Sequence, residues 1–284
     1  MNIELVPEEF QIPTNFEYPQ NNTLIFEEYF MNYFIENKIE TEYTYLPILW
    51  QSYYILNNFG FFDMPILQKY LDSLDRNKKY FTIVQFDEGI LQNISDLDLF
   101  VFGQCGGGNR IVSDKNIGYP TPLICLPSPY IYKKGKRDIF CSFIGVINGR
   151  HTIREKLKDL YEGKFLISEC VNYETFIDTM ERSVFSLCPR GHGATSYRIC
   201  ESLQHGSIPV YISDRFWIPF KEYFDFNDIG ILISEDEIEN LEFILNSKTN
   251  KDIKNYLING ERIYNEFFTY EGCAKTIINK INSM

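Results

Sequence analysis

One stretch, residues 183–220, constrains the fold of this chain more than any other part of its sequence. An apolar run at 184–188 ends at a proline, a loop with two glycines follows, and a helical segment covers about 196–205. Gly206 then stands where helices commonly end, and a second apolar run occupies 208–212. Because a helical crossover between two short buried strands makes a parallel βαβ unit, this stretch predicts a parallel sheet.

Strands and helices alternate along the rest of the chain, which predicts two α/β domains with largely parallel sheets. The charged segment 133–137 is the candidate linker between them, with an ordinary loop as the alternative. The domains are therefore placed at 1–132 and 133–284, and the last helix is free to pack back on the first domain. Ligands of such sheets lie beyond the carboxyl ends of the strands.

Local patterns predict several smaller elements. A short strand is expected at 123–126, between turns rich in proline, and two helices are expected at 250–267 and 271–282. Ser234 and Glu237 have the spacing of a capping box at the start of another helix.

Composition bounds the class of protein. The chain has 284 residues, of which 44% are apolar and 16% aromatic, so it can bury substantial cores. Its formal net charge of −12 disfavours a nucleic-acid groove, which needs clustered lysine and arginine. The seven cysteines form no C-x-x-C pair and are expected to be free thiols in a reducing compartment. With no signal peptide and no long apolar run, a soluble cytoplasmic protein without membrane insertion is expected.

The loop after the first strand of 183–220 has the chemistry of an anion site. It opens onto a helix N-terminus, where free N–H groups and a partial positive charge favour anions. Arg190 and Arg198 flank that terminus, and Glu201 lies on the same helix face as Arg198. Two arginines can clamp a diphosphate while a carboxylate accepts hydrogen bonds from a ribose diol. This favours a sugar-nucleotide site, and the alternative is an ordinary surface pair of Arg198 and Glu201.

The same stretch resembles the signature of the exostosin-type glycosyltransferases, glycosyltransferase family 47. The residues that carry the resemblance are Pro-Arg-Gly at 189–191, Ser-Tyr-Arg at 196–198, Glu201, Gly-Ser-Ile-Pro-Val at 206–210 and Pro-Phe at 219–220. Weaker similarity is found at 140–145, which is followed by Arg150 and Arg154, and at 80–89, which contains Asp87. One departure is Glu201-Ser202, where the family usually has Glu-Ala.

The resemblance implies a GT-B fold, in which two facing Rossmann-like domains enclose a cleft. It also implies an inverting transfer of a sugar from a uridine diphosphate (UDP) sugar to a hydroxyl of a glycan or glycoconjugate acceptor, without an obligatory metal or other cofactor. The donor would lie against residues 133–284 and the acceptor on the side of residues 1–132. The expected partners are therefore a nucleotide sugar and a glycan, and not a nucleic acid.

The candidate site residues follow from the loop chemistry and this resemblance. The predicted contacts to the donor diphosphate are Arg190, Arg198, Arg150, Arg154, Gly191, Gly193, Thr195 and Ser196, and the predicted ribose contact is Glu201. An inverting transfer needs a base for the acceptor hydroxyl and positive groups for the leaving diphosphate. The candidate catalytic residues are Asp87 as base, His192 as an alternative base, and Arg198. His151 is a further alternative, and Asp87 has the competing role of capping a turn.

Two rival functions are open at this stage. The first is a catalytically inactive nucleotide-sugar-binding or scaffold partner of another transferase. The second is a metal-dependent GT-A enzyme, because Asp96 and Asp98 form a D-x-D pattern, although they precede a strand rather than follow one. Gly106–Gly108 is predicted to be a mobile loop over the cleft rather than a phosphate loop, because no Lys-Ser/Thr follows it. His205 is expected to be structural. Phe216 and Trp217 are expected to pack in the core, and the alternatives are a wall of the donor pocket or a staple on the following turn.

Overall fold

The computed structural model describes residues 2–14, 25–60, 64–105, 114–125, 128, 135–148, 152–169 and 172–284. The chain divides into two compact units. The first combines Met1–Pro122 with Tyr270–Met284, and the second is Leu123–Thr269. Among the described residues, no helix combines the length and the apolar character needed to cross a bilayer.

Nine strands are found in the described part of the chain. They are β1 (Thr44–Tyr45), β2 (Lys79–Val84), β3 (Asp98–Gly103), β4 (Asn116–Pro120), β5 (Ile139–Ile144), β6 (Leu166–Ser168), β7 (Ser183–Pro189), β8 (Ile208–Ser213) and β9 (Ile231–Ser234).

The α-helices of the described residues follow the same chain order. They are α1 (Phe26–Glu36), α2 (Trp50–Leu56), α3 (Pro65–Ser73), α4 (Ile153–Tyr161), α5 (Tyr173–Arg182), α6 (Tyr197–Gln204), α7 (Leu241–Asn246), α8 (Asn250–Phe267) and α9 (Tyr270–Asn282). Short 3-10 turns lie at Glu8–Phe10, Asn58–Gly60, Phe226–Asp228 and Glu235–Asn240.

The first unit is built on a four-stranded parallel sheet in the order β1-β2-β3-β4. One face of α1 is aromatic, because Phe26, Phe30 and Phe34 recur every four residues and are fully buried. Phe30 and Phe34 pack on Tyr45 of β1. Tyr270 at the start of α9 meets Phe26 edge-on, with 5.6 Å between ring centroids. The last helix therefore belongs to the core of the first unit.

A buried carboxyl group fastens α1 to the carboxyl end of β2. Glu27 is 1% exposed, and its Oε1 accepts a 2.6 Å hydrogen bond from the backbone N–H of Gln85. Its Oε2 accepts a 3.0 Å bond from the backbone N–H of Gln51 at the start of α2. In return, Oε1 of Gln85 accepts from the backbone N–H of Phe26. Burial raises the pKa of Glu27 to about 8, and the backbone N–H bonds offset only part of that effect.

The second unit holds a five-stranded parallel sheet in the order β6-β5-β7-β8-β9. The chain leaves β5 for β6 on one side and then returns to β7 on the other side. The strand order therefore reverses between β5 and β7, and the carboxyl ends of these two strands border the crevice where open α/β sheets bind ligands. Phe143, Phe185, Leu187 and Val210 are among the buried residues of its core.

The prediction of an α/β chain with parallel sheets is confirmed in both units. The predicted boundary between residues 132 and 133 differs from the observed division, because the second unit already begins at Leu123. Cys125 packs on α6 of that unit, where its backbone N–H and its thiol both contact Sγ of Cys200. The predicted last helix lies in the first unit, as the sequence allowed.

Two local predictions are wrong. The described part of 123–126 is not a strand, and the fourth strand of the first sheet is instead β4 at 116–120. Ser234 makes no side-chain capping bond, and a 3-10 turn follows it instead of an α-helix. A capping box is present at Thr249, whose side chain accepts from the backbone N–H of Asp252 while the Asp252 carboxylate accepts from that of Thr249.

Candidate ligand-binding site

The loop between β7 and α6 is fastened to the neighbouring strand β8. The backbone N–H of Arg190 continues the strand pairing by donating to the carbonyl of Ile212 at 2.9 Å. The hydroxyls of Tyr211 and Ser213 both donate to the carbonyl of Ala194, at 2.7 and 3.0 Å. Within the loop, the N–H of Gly191 donates to the carbonyl of Thr195 at 3.0 Å. The loop is therefore held in one shape before any ligand binds.

Arg190 provides the central bond network of this loop. Its side chain is buried, and its Nε donates to the carbonyl of Gly193 while Nη2 donates to that of His192, both at 3.1 Å. Its Nη1 pairs with the carboxylate of Asp214, just beyond β8. All three guanidinium nitrogens thus have partners within the protein. From the sequence this guanidinium is expected to clamp a diphosphate, and Asp214 is not among the predicted site residues.

Helix α6 begins beside this loop, at the carboxyl end of the central strands. Ser196 is its N-cap, and the Ser196 hydroxyl accepts a hydrogen bond from the backbone N–H of Arg198. The helix ends at Gln204, and Gly206, which follows its C-cap His205, has a φ of 65° in the left-handed region. The N–H of Ser207 donates to the carbonyl of Ser202, and that of Gly206 to Leu203, which is the bond pattern of a Schellman cap.

Arg198 is 9% exposed, and two aromatic rings flank its guanidinium. Its Cζ lies 4.8 Å from the ring centroid of Phe143 on β5 and 5.2 Å from that of Phe176 on α5. Within the described part of the chain, its Nε is buried without a hydrogen-bond partner. The nearest carboxylate oxygen to that nitrogen is Oε2 of Glu201, at 4.0 Å. This buried cation retains unused hydrogen-bonding capacity.

Glu201 lies one turn further along α6 and is 3% exposed. Arg198 and Glu201 are therefore a buried pair, and the alternative of a solvated surface pair is wrong. The 4.0 Å between Nε of Arg198 and Oε2 of Glu201 is too long for a direct hydrogen bond between these two atoms. An Arg–Glu pair kept at this spacing is suited to a ligand that bonds to both side chains.

Arg154 approaches the same place from the first turn of α4. Its Nη1 donates to the carbonyl of Val146 in the β5–α4 loop, and its Cζ lies 5.7 Å from the Phe143 ring. Its Nη2 would be 3.7 Å from a Cβ atom added to Gly191. Arg154 and Arg198 therefore meet on one ring, at the end of the strand where the sheet order reverses. Two cations and a helix N-terminus at one strand end have the chemistry that suits an anion.

The other predicted residues of the second unit have diverse positions. Arg150 and His151 lie outside the described residues. Gly193 and Thr195 are buried in the loop, whereas Gly191 and Ser196 are half-buried and His192 is exposed. The His192 carbonyl serves as an acceptor for Arg190.

Of the residues expected to serve packing, His205 and Trp217 are buried, whereas Phe216 is 36% exposed. Burial lowers the pKa of His205, whose Nδ1 lies 3.3 Å from the Glu181 carboxylate. Phe216 meets Tyr211 edge-on, and the backbone N–H of Trp217 donates to the Tyr211 hydroxyl. These contacts place the aromatic residues against β8 as structural supports.

The candidate base, Asp87, belongs to the first unit and follows the carboxyl end of β2. Its carboxylate bonds to the buried thiol of Cys105, whose pKa is raised by burial first and by the nearby carboxylate second. The competing role for Asp87 was to cap a turn. A turn is present here, because the N–H of Gly89 donates to the carbonyl of Phe86. The predicted Gly106–Gly108 loop lies outside the described residues.

Asp96 and Asp98 lie at the entry of β3, as the sequence indicated. Across the ranges that the structure describes, no group of three or more His, Cys, Asp or Glu side chains is arranged to hold a metal ion.

The fold and the candidate site together define an α/β protein with two arginines at the switch point of a parallel sheet. The sequence model of the Exostosin GT47 domain matches residues 107–248, which is 142 of the 284 residues, and the chain belongs to this family.

Two plant proteins illustrate the sequence similarity. A protein of Oryza sativa subsp. japonica described as "Probable glucuronosyltransferase" is 33% identical over 138 residues, covering 44% of this chain and 31% of its own length. An Arabidopsis thaliana protein described as "Probable beta-1,4-xylosyltransferase IRX10" is 36% identical over 73 residues, covering 26% of this chain and 18% of its own. The chain thus matches less than a third of the length of either relative.

Similarity to solved structures is more distant. The pneumococcal O-GlcNAc transferase GtfA, in complex with UDP and GlcNAc, aligns with a TM-score of 0.47 and 8% identity over 89% of this chain and 59% of that chain. A glycosyltransferase from Rickettsia africae ESF-5 aligns with a TM-score of 0.41 and 12% identity over 96% and 84%.

Proposed function

We propose that this chain is an inverting glycosyltransferase that moves a sugar from a UDP-sugar to a hydroxyl of a glycan or glycoconjugate. Membership of the exostosin GT47 family supports the reaction class, and relatives named as glucuronosyl- and xylosyltransferases support a nucleotide-sugar donor. The observation that carries the proposal is the convergence of Arg154 and Arg198 on one strand end, beside the N-terminus of α6. Such an arrangement suits a diphosphate.

In this proposal Arg154 and Arg198 mainly stabilise the leaving group. Cleavage of the sugar–phosphate bond leaves negative charge on the departing diphosphate, and preorganised cations stabilise that charge as it develops. Arg198 offers a buried guanidinium, and Arg154 adds a second cation from α4. The loop at 191–196 brings backbone groups to the same end of the sheet. Glu201 accepts hydrogen bonds from the ribose hydroxyls. These hydroxyls are uncharged and bond to a side chain that is already buried.

The role of Arg190 in the proposal differs from that of the other arginines. Its three nitrogens bond to Gly193, His192 and Asp214, so it shapes the loop and contributes positive potential rather than direct bonds to the donor. Replacing it would collapse the loop as well as remove a charge. It is therefore a poor choice for testing diphosphate contact.

The acceptor half of the reaction needs a base, for which Asp87 is proposed and His192 is the alternative. The carboxyl end of β2, where Asp87 lies, is where parallel sheets place functional side chains. The Asp87→Asn variant is expected to lose transfer while it still binds UDP with the affinity of the wild type. A fully active Asp87→Asn variant, together with an inactive His192→Gln variant, would transfer the role to His192.

No metal is required in the proposed mechanism, because the arginines and the helix terminus supply the positive charge. Transfer is expected to persist at full rate in the presence of a chelator. Loss of activity on chelation, restored by added manganese, would contradict this part of the proposal.

The central experiment is calorimetric titration of the full chain with UDP, followed by a screen of UDP-sugars for transfer and hydrolysis. Arg198→Gln is expected to lower the affinity for UDP at least about tenfold, because a charge-assisted contact is lost. Arg262→Gln is the matched control, since Arg262 is an exposed arginine of α8 paired with Glu266. Equal affinity of wild type and Arg198→Gln would overturn the site. Tight UDP binding without turnover of any UDP-sugar would identify an inactive partner protein instead.

A further inference from the structure

Three residues outside the 183–220 stretch surround the guanidinium of Arg198. Phe143 and Gly145 lie at the end of β5, and Phe176 lies in α5. We propose that these three are positioning residues, which hold Arg198 in the geometry that binds the donor. The inference rests on the proposed function, because it takes Arg198 to be a donor contact.

The two rings fix the plane of the guanidinium. Phe143 and Phe176 have centroids 4.8 and 5.2 Å from Cζ of Arg198, within the range at which a cation is attracted to the face of a ring. A long arginine side chain normally loses considerable rotamer freedom when it is ordered by a ligand. Here that ordering is completed on folding. Among the described residues, Nε of Arg198 has no hydrogen-bond partner and lies 4.0 Å from the Glu201 carboxylate, which leaves this donor available to a ligand.

Gly145 makes the space that the outer edge of Arg198 occupies. A Cβ atom added to Gly145 would lie 3.1 Å from both Nη1 and Nη2 of Arg198 and 3.5 Å from its Cζ. These are the three heavy atoms nearest to that position, so an alanine there would push first on Arg198. Gly145 does not have the left-handed backbone conformation that strains other residues, so Gly145→Ala tests contact rather than backbone strain.

The position of Phe176 is consistent with this role rather than with core packing alone. Phe143 is 1% exposed and belongs to the main core of the second unit, whereas Phe176 is only half-buried. Phe176 stacks on Tyr173, with 5.9 Å between ring centroids, and this stack begins α5. A half-buried ring over a buried cation covers one face of that cation. Leucine at this position would keep an apolar surface but lose the attraction between ring and cation.

The test changes each of the three positioning residues in protein that has Arg198 and in protein that lacks it, and measures UDP binding to the full chain by calorimetric titration. Phe143→Leu, Phe176→Leu and Gly145→Ala are each expected to weaken binding about fivefold when Arg198 is present. In the Arg198→Gln background, the same three changes are expected to leave the residual affinity unchanged. Phe185→Leu is the matched control for Phe143→Leu, because Phe185 is equally buried in the same core and packs on Phe140.

A second measurement observes Arg198 directly, without a ligand. In protein labelled with ¹⁵N-arginine, the Nε–Hε resonance of Arg198 should be ordered and shifted by the ring currents of its two neighbours. Phe143→Leu and Phe176→Leu should each reduce that shift and increase the mobility of the side chain, whereas Phe185→Leu should not.

The outcomes separate this inference from the proposed function. Equal losses of affinity in both backgrounds would contradict the positioning role. An Arg198 resonance that is as ordered in Phe143→Leu as in the wild type would contradict it too. Wild-type affinity in Arg198→Gln would overturn the proposed donor contact. The NMR measurement alone would then test whether the three residues order the Arg198 side chain. Losses confined to the Arg198 background, with a mobile side chain in the leucine variants, would establish the positioning role.

Discussion

The buried carboxyl group of Glu27 makes the stability of this protein depend on pH in a direction opposite to that of most carboxylates. Its pKa is raised from 4.5 to about 8 because burial disfavours the charged form. The folded chain therefore keeps the Glu27 proton up to about pH 8, while the unfolded chain releases it near pH 4.5. Between these values the folded state binds more protons, so this group stabilises the fold below the window and its contribution is lost as the pH rises through it.

The magnitude follows from the width of the window. One unit of pKa difference corresponds to about 1.4 kcal/mol, so the contribution of Glu27 falls by about 2 kcal/mol between about pH 6 and about pH 7.5. The Glu27→Gln variant is neutral at every pH and keeps an oxygen for the backbone N–H of Gln85. The unfolding free energy of the wild type should thus fall by about 2 kcal/mol more than that of Glu27→Gln over this interval.

The assay is denaturant unfolding of both proteins at the two pH values, monitored by tryptophan fluorescence, since Trp50 lies in the core of the same unit. Glu36→Gln is the control, because Glu36 is exposed at the end of the same helix. Its unfolding free energy should follow that of the wild type at both pH values. Parallel pH dependence in wild type and Glu27→Gln would refute the reasoning and show that Glu27 is buried as a carboxylate held by its two backbone donors.

Three further predictions concern the site loop and the helix ends. Asp214→Asn should lower the unfolding free energy by about 1 kcal/mol, because Arg190 loses its charged partner; the effect is limited because Asp214 is half exposed. Asp178→Asn, which removes the exposed pair with Arg182, should have a smaller effect. Gly206→Ala should cost about 1 kcal/mol or more, because φ is 65°, and Gly206→Asn should cost less, since asparagine tolerates that conformation; equal costs would contradict the backbone argument. Thr249→Ala should lower the unfolding free energy by about 1 kcal/mol and Ser234→Ala should hardly change it. The reverse order would indicate that the capping box lies at Ser234, as the sequence predicted.

Regular elements were predictable where local patterns decide the structure. The helices α8 and α9 lie within one residue of their predicted ranges. β4 was missed because it contains Gly118 and Pro120, which normally indicate turns. Pro120 is tolerated there because β4 lies at the edge of its sheet, where a missing N–H donor has no partner strand to serve. Edge position is a property of the sheet, so the pattern of 116–120 does not reveal it.

The candidate site divides in the same way. Arg198 and Glu201 were candidates from the loop chemistry and the family resemblance, and the structure places both in a buried position. The network of Arg190 was not predictable, because its acceptors include two backbone carbonyls whose direction depends on the loop conformation. The rings that flank Arg198 come from β5 and α5, and only tertiary packing brings them to α6. The weaker family similarity at 140–145 was noted in the sequence, but its relation to Arg198 was not.

The fastening of the β7–α6 loop to β8 has a thermodynamic consequence for recognition. Arg190, Tyr211 and Ser213 together hold the loop carbonyls, so the cost of immobilising this segment is met when the chain folds. A ligand that docks on a segment already in its bound shape loses less conformational entropy and forms its contacts without a prior rearrangement. We therefore expect this half of the site to behave as a rigid receptor. Selection between ligands would then rest on shape and charge, since little adaptation of the loop is available to accommodate a poorer fit.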